Sequence, residues 1–369
     1  MNTLKVVICA TTMRGGVSGF YSAVRSKLSQ DVTFFPIGSR GNDTGIVRTV
    51  SRVFRDSFLF YRLLACDSYD IVHLNPSLDP KALVRDGLLL LIASLVGVKS
   101  VVFFHGWSKP WDKYLERYFL LPFRWVYSKA TVILVLALEF KNDFERMGFS
   151  QSIHVVTTAV DDELFSPALE RAIFSRRTTV NGGFNILFLS RIEKAKGIYE
   201  SLEALQILGK NVPFARLIVA GEGKELQTVK QYVHSKQICD VEFVGHVVGS
   251  IKTKTFLRAD AFLFPTSYGE GMPVSVLEAM AFGLPVITRP VGGINDFFLQ
   301  GKMGFLTDSL EPQEFADLLT KLIWNPDLRR EISLFNRQYA KKHFAASEVA
   351  KHIDRIYDEV VNTSDPGSS

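Results

Sequence analysis

The chain has 369 residues, 47% of them hydrophobic and 22% charged, with a net charge of +5. This length and balance predict two globular domains and exclude a disordered or fibrous chain. Three scattered cysteines, Cys9, Cys66 and Cys239, argue against a disulfide framework and a zinc site and fit a reducing cytosol. A charge this small, without a recognised motif, gives no support for nucleic-acid binding.

The opening stretch MNTLKVVICATTMRGG lacks the charged region, long apolar run and small-residue cleavage site of a secretory signal. It reads as a first strand, Leu4–Ala10. Further strands are expected at Val32–Ile37, Ile71–Leu74, Ser100–Phe104, Thr131–Leu136 and His154–Val156. Helices are expected between them at Phe20–Leu28, Val47–Ala65, Lys81–Val96 and Lys113–Tyr127. The apolar run Gly87–Phe104 approaches the length of a membrane span. Its residue types change midway, from Leu-rich to β-branched and aromatic, so it reads as a buried helix followed by a buried parallel strand.

Basic residues concentrate early. Residues 1–138 hold 17 Lys and Arg against 9 Asp and Glu. Arg48, Arg52, Arg55 and Arg62 recur at helical spacing. Lys113–Lys129 mixes cations with Tyr114, Tyr118, Phe119, Phe123, Trp125 and Tyr127. Two readings stand open: a solvated face above core aromatics, or a surface resting on anionic lipid.

Asp161–Gly183 breaks the rhythm with Pro167, the pair Arg176–Arg177 and Asn181–Gly182–Gly183, and reads as an interdomain connection. Alternation then resumes. Strands are expected at Phe184–Leu189, Arg216–Ala220, Val241–Val244, Ala261–Phe264, Val286–Thr288 and Gly304–Leu306. Helices are expected at Ile198–Leu208, Glu225–Lys236, Ile251–Leu257, Val274–Phe282 and Pro312–Ile323, with helical stretches on to about Asn362. The expected division is residues 1–165 as a first Rossmann-like domain, 166–183 as linker and 184–345 as a second such domain. Residues 346–369 would form a helix packing back on the first domain, followed by a frayed tail. Two doubly wound parallel sheets would face a cleft, with ligands at the carboxyl ends of their strands.

The most informative segment is Ser267–Gly293, SYGEGMPVSVLEAMAFGLPVITRPVGG. A strand runs into a glycine loop, and a helix then starts near Pro273. Such a start offers backbone N–H groups and a positive dipole end to phosphate. Glu270 lies in the loop and Glu278 on the helix. They stand at two heights, suited to the hydroxyls of a sugar and a ribose. Glu278 sits within the apolar run VLEAMAF, where an unpaired charge would be costly. Arg191 and Lys196 follow another strand end; two cations there would neutralise a diphosphate.

This segment resembles the E-x7-E signature of glycosyltransferase family 4. LFLSRIEKAKG (Leu187–Gly197), LIVAGEG (Leu217–Gly223), VEFVGH (Val241–His246), Gly15–Gly16, His105–Gly106 and GKMGFL (Gly301–Leu306) extend the resemblance, in order, over much of the chain. It implies the GT-B fold, retention of anomeric configuration and a nucleotide-diphosphate sugar, UDP- or GDP-linked, as donor. It also implies donor contacts by Gly15, Gly16, Arg191, Lys196, Val244, Glu270, Gly271, Met272, Pro273, Val274 and Glu278. The implied roles are phosphate binding and leaving-group stabilisation for Arg191 and Lys196, sugar contact near the reacting carbon for His105, and orientation of sugar hydroxyls for Glu270. The chain departs from many relatives at Thr158–Ala159 and at Asn295–Asp296.

No Asp-x-Asp motif occurs, so neither a metal nor another cofactor is expected, and no carboxylate stands out as a nucleophile. Front-face attack is the expected route, with the departing phosphate taking the acceptor's proton. The expected acceptor is a glycan or a lipid-linked molecule of surface polysaccharide biosynthesis, met by the first domain. The expected location is cytoplasmic, or peripheral on the inner face of the membrane. A nucleotide-sugar 2-epimerase and a catalytically silent binding subunit are the alternatives.

Overall fold

The computed structural model describes residues 3–11, 15–38, 45–106, 109–176, 183–269 and 271–362. Side chains at 46, 47, 109–112 and 176 are not described. Glu270, Trp107, Arg177, Asn181 and Gly182 lie outside the described residues. The chain forms two units: residues 1–159 with 269–272 and 346–369, and residues 160–268 with 273–345.

The first unit runs β1 (Lys5–Thr11), α1 (Gly16–Val24), β2 (Asp31–Ile37), α2 (Ile46–Cys66), β3 (Ile71–Leu74), α3 (Pro80–Val96), β4 (Lys99–Phe104), α4 (Lys109–Tyr118), α5 (Leu120–Tyr127), β5 (Val132–Val135), α6 (Leu138–Arg146) and β6 (Ser152–Val155). Its sheet is parallel, in the order β2-β1-β3-β4-β5-β6. β3 and β5 are buried along their whole length, which is why their sequences read as unbroken apolar runs rather than alternating ones.

The run that approached span length resolves into α3 and β4. The Asp79 side chain caps α3 by accepting from the Ala82 N–H at 3.1 Å, and Pro80 opens the helix. Gly97 closes it in the left-handed region at φ 80°. No described helix is long and apolar enough to cross a membrane. The single helix expected over Lys113–Tyr127 is broken at Phe119, which caps α5 with a non-helical φ of −130°. α6 was not anticipated. Only Phe140 and Phe144 of its LEFKNDFER sequence are buried, a pattern too sparse to signal a helix.

The second unit begins with a 3-10 turn (Asp162–Phe165) and α7 (Pro167–Arg176), so part of the segment read as a linker is helical. It continues with β7 (Phe184–Leu189), α8 (Ile198–Gly209), β8 (Ala215–Ala220), α9 (Leu226–Ser235), β9 (Val241–Gly245), α10 (Gly249–Arg258) and β10 (Ala261–Phe264). Then come α11 (Val274–Ala281), β11 (Val286–Thr288), β12 (Gly304–Leu306), α12 (Pro312–Ile323) and α13 (Pro326–Phe344). The sheet is again parallel, in the order β12-β11-β10-β7-β8-β9.

The final helix, α14 (Ala346–Asn362), belongs to the first unit. Val349, Ile353, Ile356, Tyr357 and Val360 are buried along one stripe of it. Each such side chain contributes about 1.5–3 kcal/mol when fully buried. Midway along it, Asp354 accepts from the Ser29 N–H at 2.9 Å and the Ser29 hydroxyl at 2.8 Å.

Strand order reverses between β1 and β3 in the first sheet and between β7 and β10 in the second. Connections diverge to opposite sides at these points and leave a crevice at the carboxyl ends of the strands.

Candidate functional site

In the second unit, the loops after β7 and β10 are tied together at the strand reversal. The Ser267 and Tyr268 N–H groups both donate to the Ala195 carbonyl, at 2.9 and 3.0 Å. Gly197 adopts φ 84°, and a Cβ there would stand 2.4 Å from the Pro265 carbonyl oxygen. Only glycine lets the two loops approach this closely.

That closure sets three side chains in one place. Lys196 is buried, with its Nζ 3.9 Å from the centroid of the Tyr268 ring. The Arg191 guanidinium carbon lies 5.6 Å from the same centroid. Arg191 also pairs with Glu193 at 2.9 Å, yet its side chain stays 59% exposed. One aromatic ring therefore lies within reach of two cations and attracts each of them through its quadrupole.

Glu278 lies on α11, whose Pro273 stands just before the first helical residue, Val274. Burial pushes the Glu278 carboxyl above the ordinary range, and the Lys252 ammonium pulls it back. Lys252, in the first turns of α10, hydrogen-bonds Glu278 directly. The cost expected of a lone charge in VLEAMAF is thus met by a partner that the sequence did not reveal. Val244 is the penultimate residue of β9, which ends at Gly245 with φ 70°.

Gly271 and Met272 group with the first unit, where a Cβ on Gly271 would overlap Leu136 at 2.6 Å. Glu270, expected to orient the sugar, lies outside the described residues.

In the first unit, Gly15 precedes α1 and Gly16 is its first residue. A Cβ at either would meet nothing within 4 Å among the described residues. His105 follows β4, and its N–H donates to the Pro76 carbonyl at 3.0 Å. Its Nε2 lies 2.9 Å from Asn75 Oδ1, and its ring lies 3.9 Å from that of Phe103. Burial, with a smaller contribution from His73, pushes its imidazole down to about 3, so the ring is neutral.

The second unit thus carries Arg191 and Lys196 after β7 and Glu278 on the helix after β10; the first carries Gly15 and Gly16 after β1 and His105 after β4, hydrogen-bonded to Asn75 after β3. Two family models match: Glycosyltransferase Family 4 over residues 26–164 and Glycosyl transferases group 1 over residues 171–339.

The chain belongs to glycosyltransferase family 4.

It is 27% identical to the phosphatidyl-myo-inositol mannosyltransferase of Mycobacterium leprae over 311 residues, 82% of this chain and 76% of that one. It is also 27% identical to the capsular polysaccharide biosynthesis glycosyltransferase CapM of Staphylococcus aureus, over 50% of this chain and 49% of CapM. The chain spans about half the length of several curated relatives that it matches, CapM among them. Anabaena HepE, solved in complex with UDP-glucose, superposes with a TM-score of 0.74 at 17% identity, covering 96% of this chain and 100% of HepE. That likeness shows the fold, which is GT-B.

Sequence reasoning missed Tyr268 and Lys252, which the structure places against Arg191, Lys196 and Glu278. Tyr268 stood inside the quoted motif, and an aromatic beside a glycine loop opposite two cations was the signal available. Lys252 carried none, because its pairing depends on how α10 packs beside α11. The polar partners of His105 were also missed.

Proposed function

We propose that this family-4 chain is a retaining glycosyltransferase that moves a sugar from a nucleotide-diphosphate donor to a lipid-linked or glycan acceptor in surface polysaccharide assembly. The observation that carries this reading is the pairing of Arg191 and Lys196 on Tyr268, which follows β10 in the chain and precedes α11. Two cations and a helix start meet the charge that develops on a departing nucleoside diphosphate. That arrangement supports a leaving group stabilised without a divalent ion. Glu278 would take the ribose hydroxyls and Glu270 those of the sugar. His105 would face the reacting carbon as a neutral hydrogen-bonding ring. With no carboxylate assigned as nucleophile, the acceptor hydroxyl attacks from the face the diphosphate leaves, and the phosphate oxygen takes its proton.

Two features of the first unit support a lipid-linked acceptor and a peripheral site on the inner membrane face. An apolar cavity of about 400 Å3 lies between α3 and α4–α5, lined by Leu83, Leu88, Leu91, Leu115, Phe119 and Val126 among others. Phe54, Phe58, Leu121 and Trp125 are all at least 60% exposed, on helices that also carry Arg55, Arg62 and Arg124. The aromatics of α5 are thus divided: Phe123 and Tyr127 belong to the core, and Trp125 does not.

A thermal-shift screen of UDP, GDP, ADP and their sugars tests the donor. Stabilisation by one nucleotide class, followed by transfer with retained configuration, is expected; no shift with any of them overturns the donor reading. Flotation with anionic liposomes tests the membrane reading, and failure to bind either anionic or neutral vesicles removes it.

A further inference from the structure

Beneath His105, four polar side chains of the first unit form with it one hydrogen-bonded chain. Asn75 Nδ2 donates to the Cys9 carbonyl at 3.0 Å. A carbonyl can only accept, so this bond fixes which way the Asn75 amide faces. Its Oδ1 then points at two neighbours, Tyr21 Oη at 2.9 Å and His105 Nε2 at 2.9 Å. Both must donate to it. Having given its proton to Asn75, the Tyr21 oxygen accepts from His73 Nε2 at 3.2 Å. Burial pushes the His73 imidazole down to about 3, so its other nitrogen carries no proton. That nitrogen accepts from the Tyr357 hydroxyl of α14 at 2.6 Å.

The protons of this chain follow from one backbone carbonyl of β1 and from the neutrality of the two buried imidazoles. His105 is left with its proton on Nε2 and a bare Nδ1. His73 and Tyr357 are fully buried, and Asn75 and Tyr21 nearly so. A core needing only volume at the reversal between β1 and β3 would be filled by apolar groups, and each polar group here has to be matched to avoid a desolvation cost.

We infer that Asn75 is a positioning residue that holds His105 in its Nε2–H tautomer, and that Tyr21, His73 and Tyr357 hold Asn75 in turn. The inference adds to the proposed role of His105, because it states which ring nitrogen would accept from a ligand: Nδ1. It also gives α14 a part in the site, through a hydroxyl that never reaches the ligand.

Nitrogen-15 spectroscopy of histidine-labelled protein tests this without any substrate, with the His105 signals assigned by their loss in His105→Gln. The wild type is expected to show His105 as the Nε2–H tautomer at neutral pH. Asn75→Leu is expected to give a mixture of tautomers, while Asn75→Asp, which retains an acceptor oxygen, keeps Nε2 protonated. Melting curves check that the variants fold. A single unchanged Nε2–H tautomer in folded Asn75→Leu overturns the inference, and so does an Nδ1–H tautomer in the wild type. If Asn75→Leu does not fold, Tyr21→Phe decides: it removes one of the two donors to Oδ1, and His105 signals identical to wild type count against the chain. Unchanged sugar transfer by His105→Ala would instead defeat the proposed contact with sugar and leave the tautomer result standing.

Discussion

The two strand reversals solve different chemical problems with the same topology. In the second unit the crevice is charged: Arg191 and Lys196 stand on Tyr268, and Lys252 holds Glu278. In the first, Tyr21, His73, Asn75 and His105 are neutral and joined by hydrogen bonds. The loops differ as well. Those of the second unit are locked by backbone contact at Gly197, Gly221 and Gly223, whereas Gly15 and Gly16 of the first have open space among the described residues. Fixed charge suits a diphosphate whose charge is always present. A neutral, oriented lattice suits hydroxyl groups, which need direction more than field.

The loop contrast yields the largest expected effect. A Cβ on Gly221, at φ 142°, would lie 1.9 Å from the Ser190 carbonyl oxygen, with no flexible side chain to yield. Gly221→Ala should lose more than about 4 kcal/mol, enough to prevent recovery of folded protein. Gly16→Ala should fold normally and could gain about 0.5–1 kcal/mol of helix stability, while losing donor turnover if that loop approaches a ligand. Thermal melts of both measure the difference. A stable Gly221→Ala would break the picture of a locked loop.

The charge contrast comes next. Lys196→Met keeps the buried volume and removes the ammonium, and Arg191→Ala removes an exposed guanidinium. Each should lower turnover of the accepted donor by roughly 100-fold while the melting temperature stays near wild type. Near-normal turnover in both would remove the leaving-group role.

Lys252→Met separates pH effects on binding from those on stability. Burial already raises the Glu278 carboxyl, and Lys252 opposes that shift. Without Lys252, the carboxyl stays protonated to higher pH. Affinity for the nucleoside diphosphate that binds wild type should fall about tenfold at low pH and recover as the pH rises, if Glu278 takes the ribose as a carboxylate. Stability moves the other way. A carboxyl whose folded-state value lies above its unfolded value favours the folded state below the unfolded value, and that contribution is lost as pH rises through the folded one. Calorimetry and melts at matched pH values should therefore slope oppositely. Parallel slopes would break the assignment of Glu278.

The sheets themselves were legible. Ile71–Leu74 and Ala261–Phe264 match β3 and β10 at both ends, because short apolar runs bounded by polar residues leave a parallel strand few alternatives. Helix boundaries were less so. α1 starts earlier than expected, at Gly16, because glycines obscure the pattern, and Pro122 does not show whether the chain before it continues or breaks. Arg191, Lys196 and Glu278 were legible as a motif. The chain from Tyr357 to His105 was not: His73 and Tyr357 are 284 positions apart, and no local periodicity couples residues that meet only after α14 has packed.

That packing can be loosened by a smaller change. Asp354 accepts two hydrogen bonds from Ser29 through one oxygen, and it is 9% exposed. Asp354→Asn keeps the shape but weakens both bonds by removing the charge, at a cost of about 1 kcal/mol. Because α14 belongs to the first unit, hydrogen exchange should accelerate in β1, α1 and β3 and remain unchanged in β7–β12. Acceleration in both units would mean that α14 stabilises the chain as a whole rather than the neutral crevice. Tyr357 lies three residues after Asp354 on the same helix, so selective loosening of the first unit should also broaden the His105 nitrogen signals, linking α14 to the ring that follows β4.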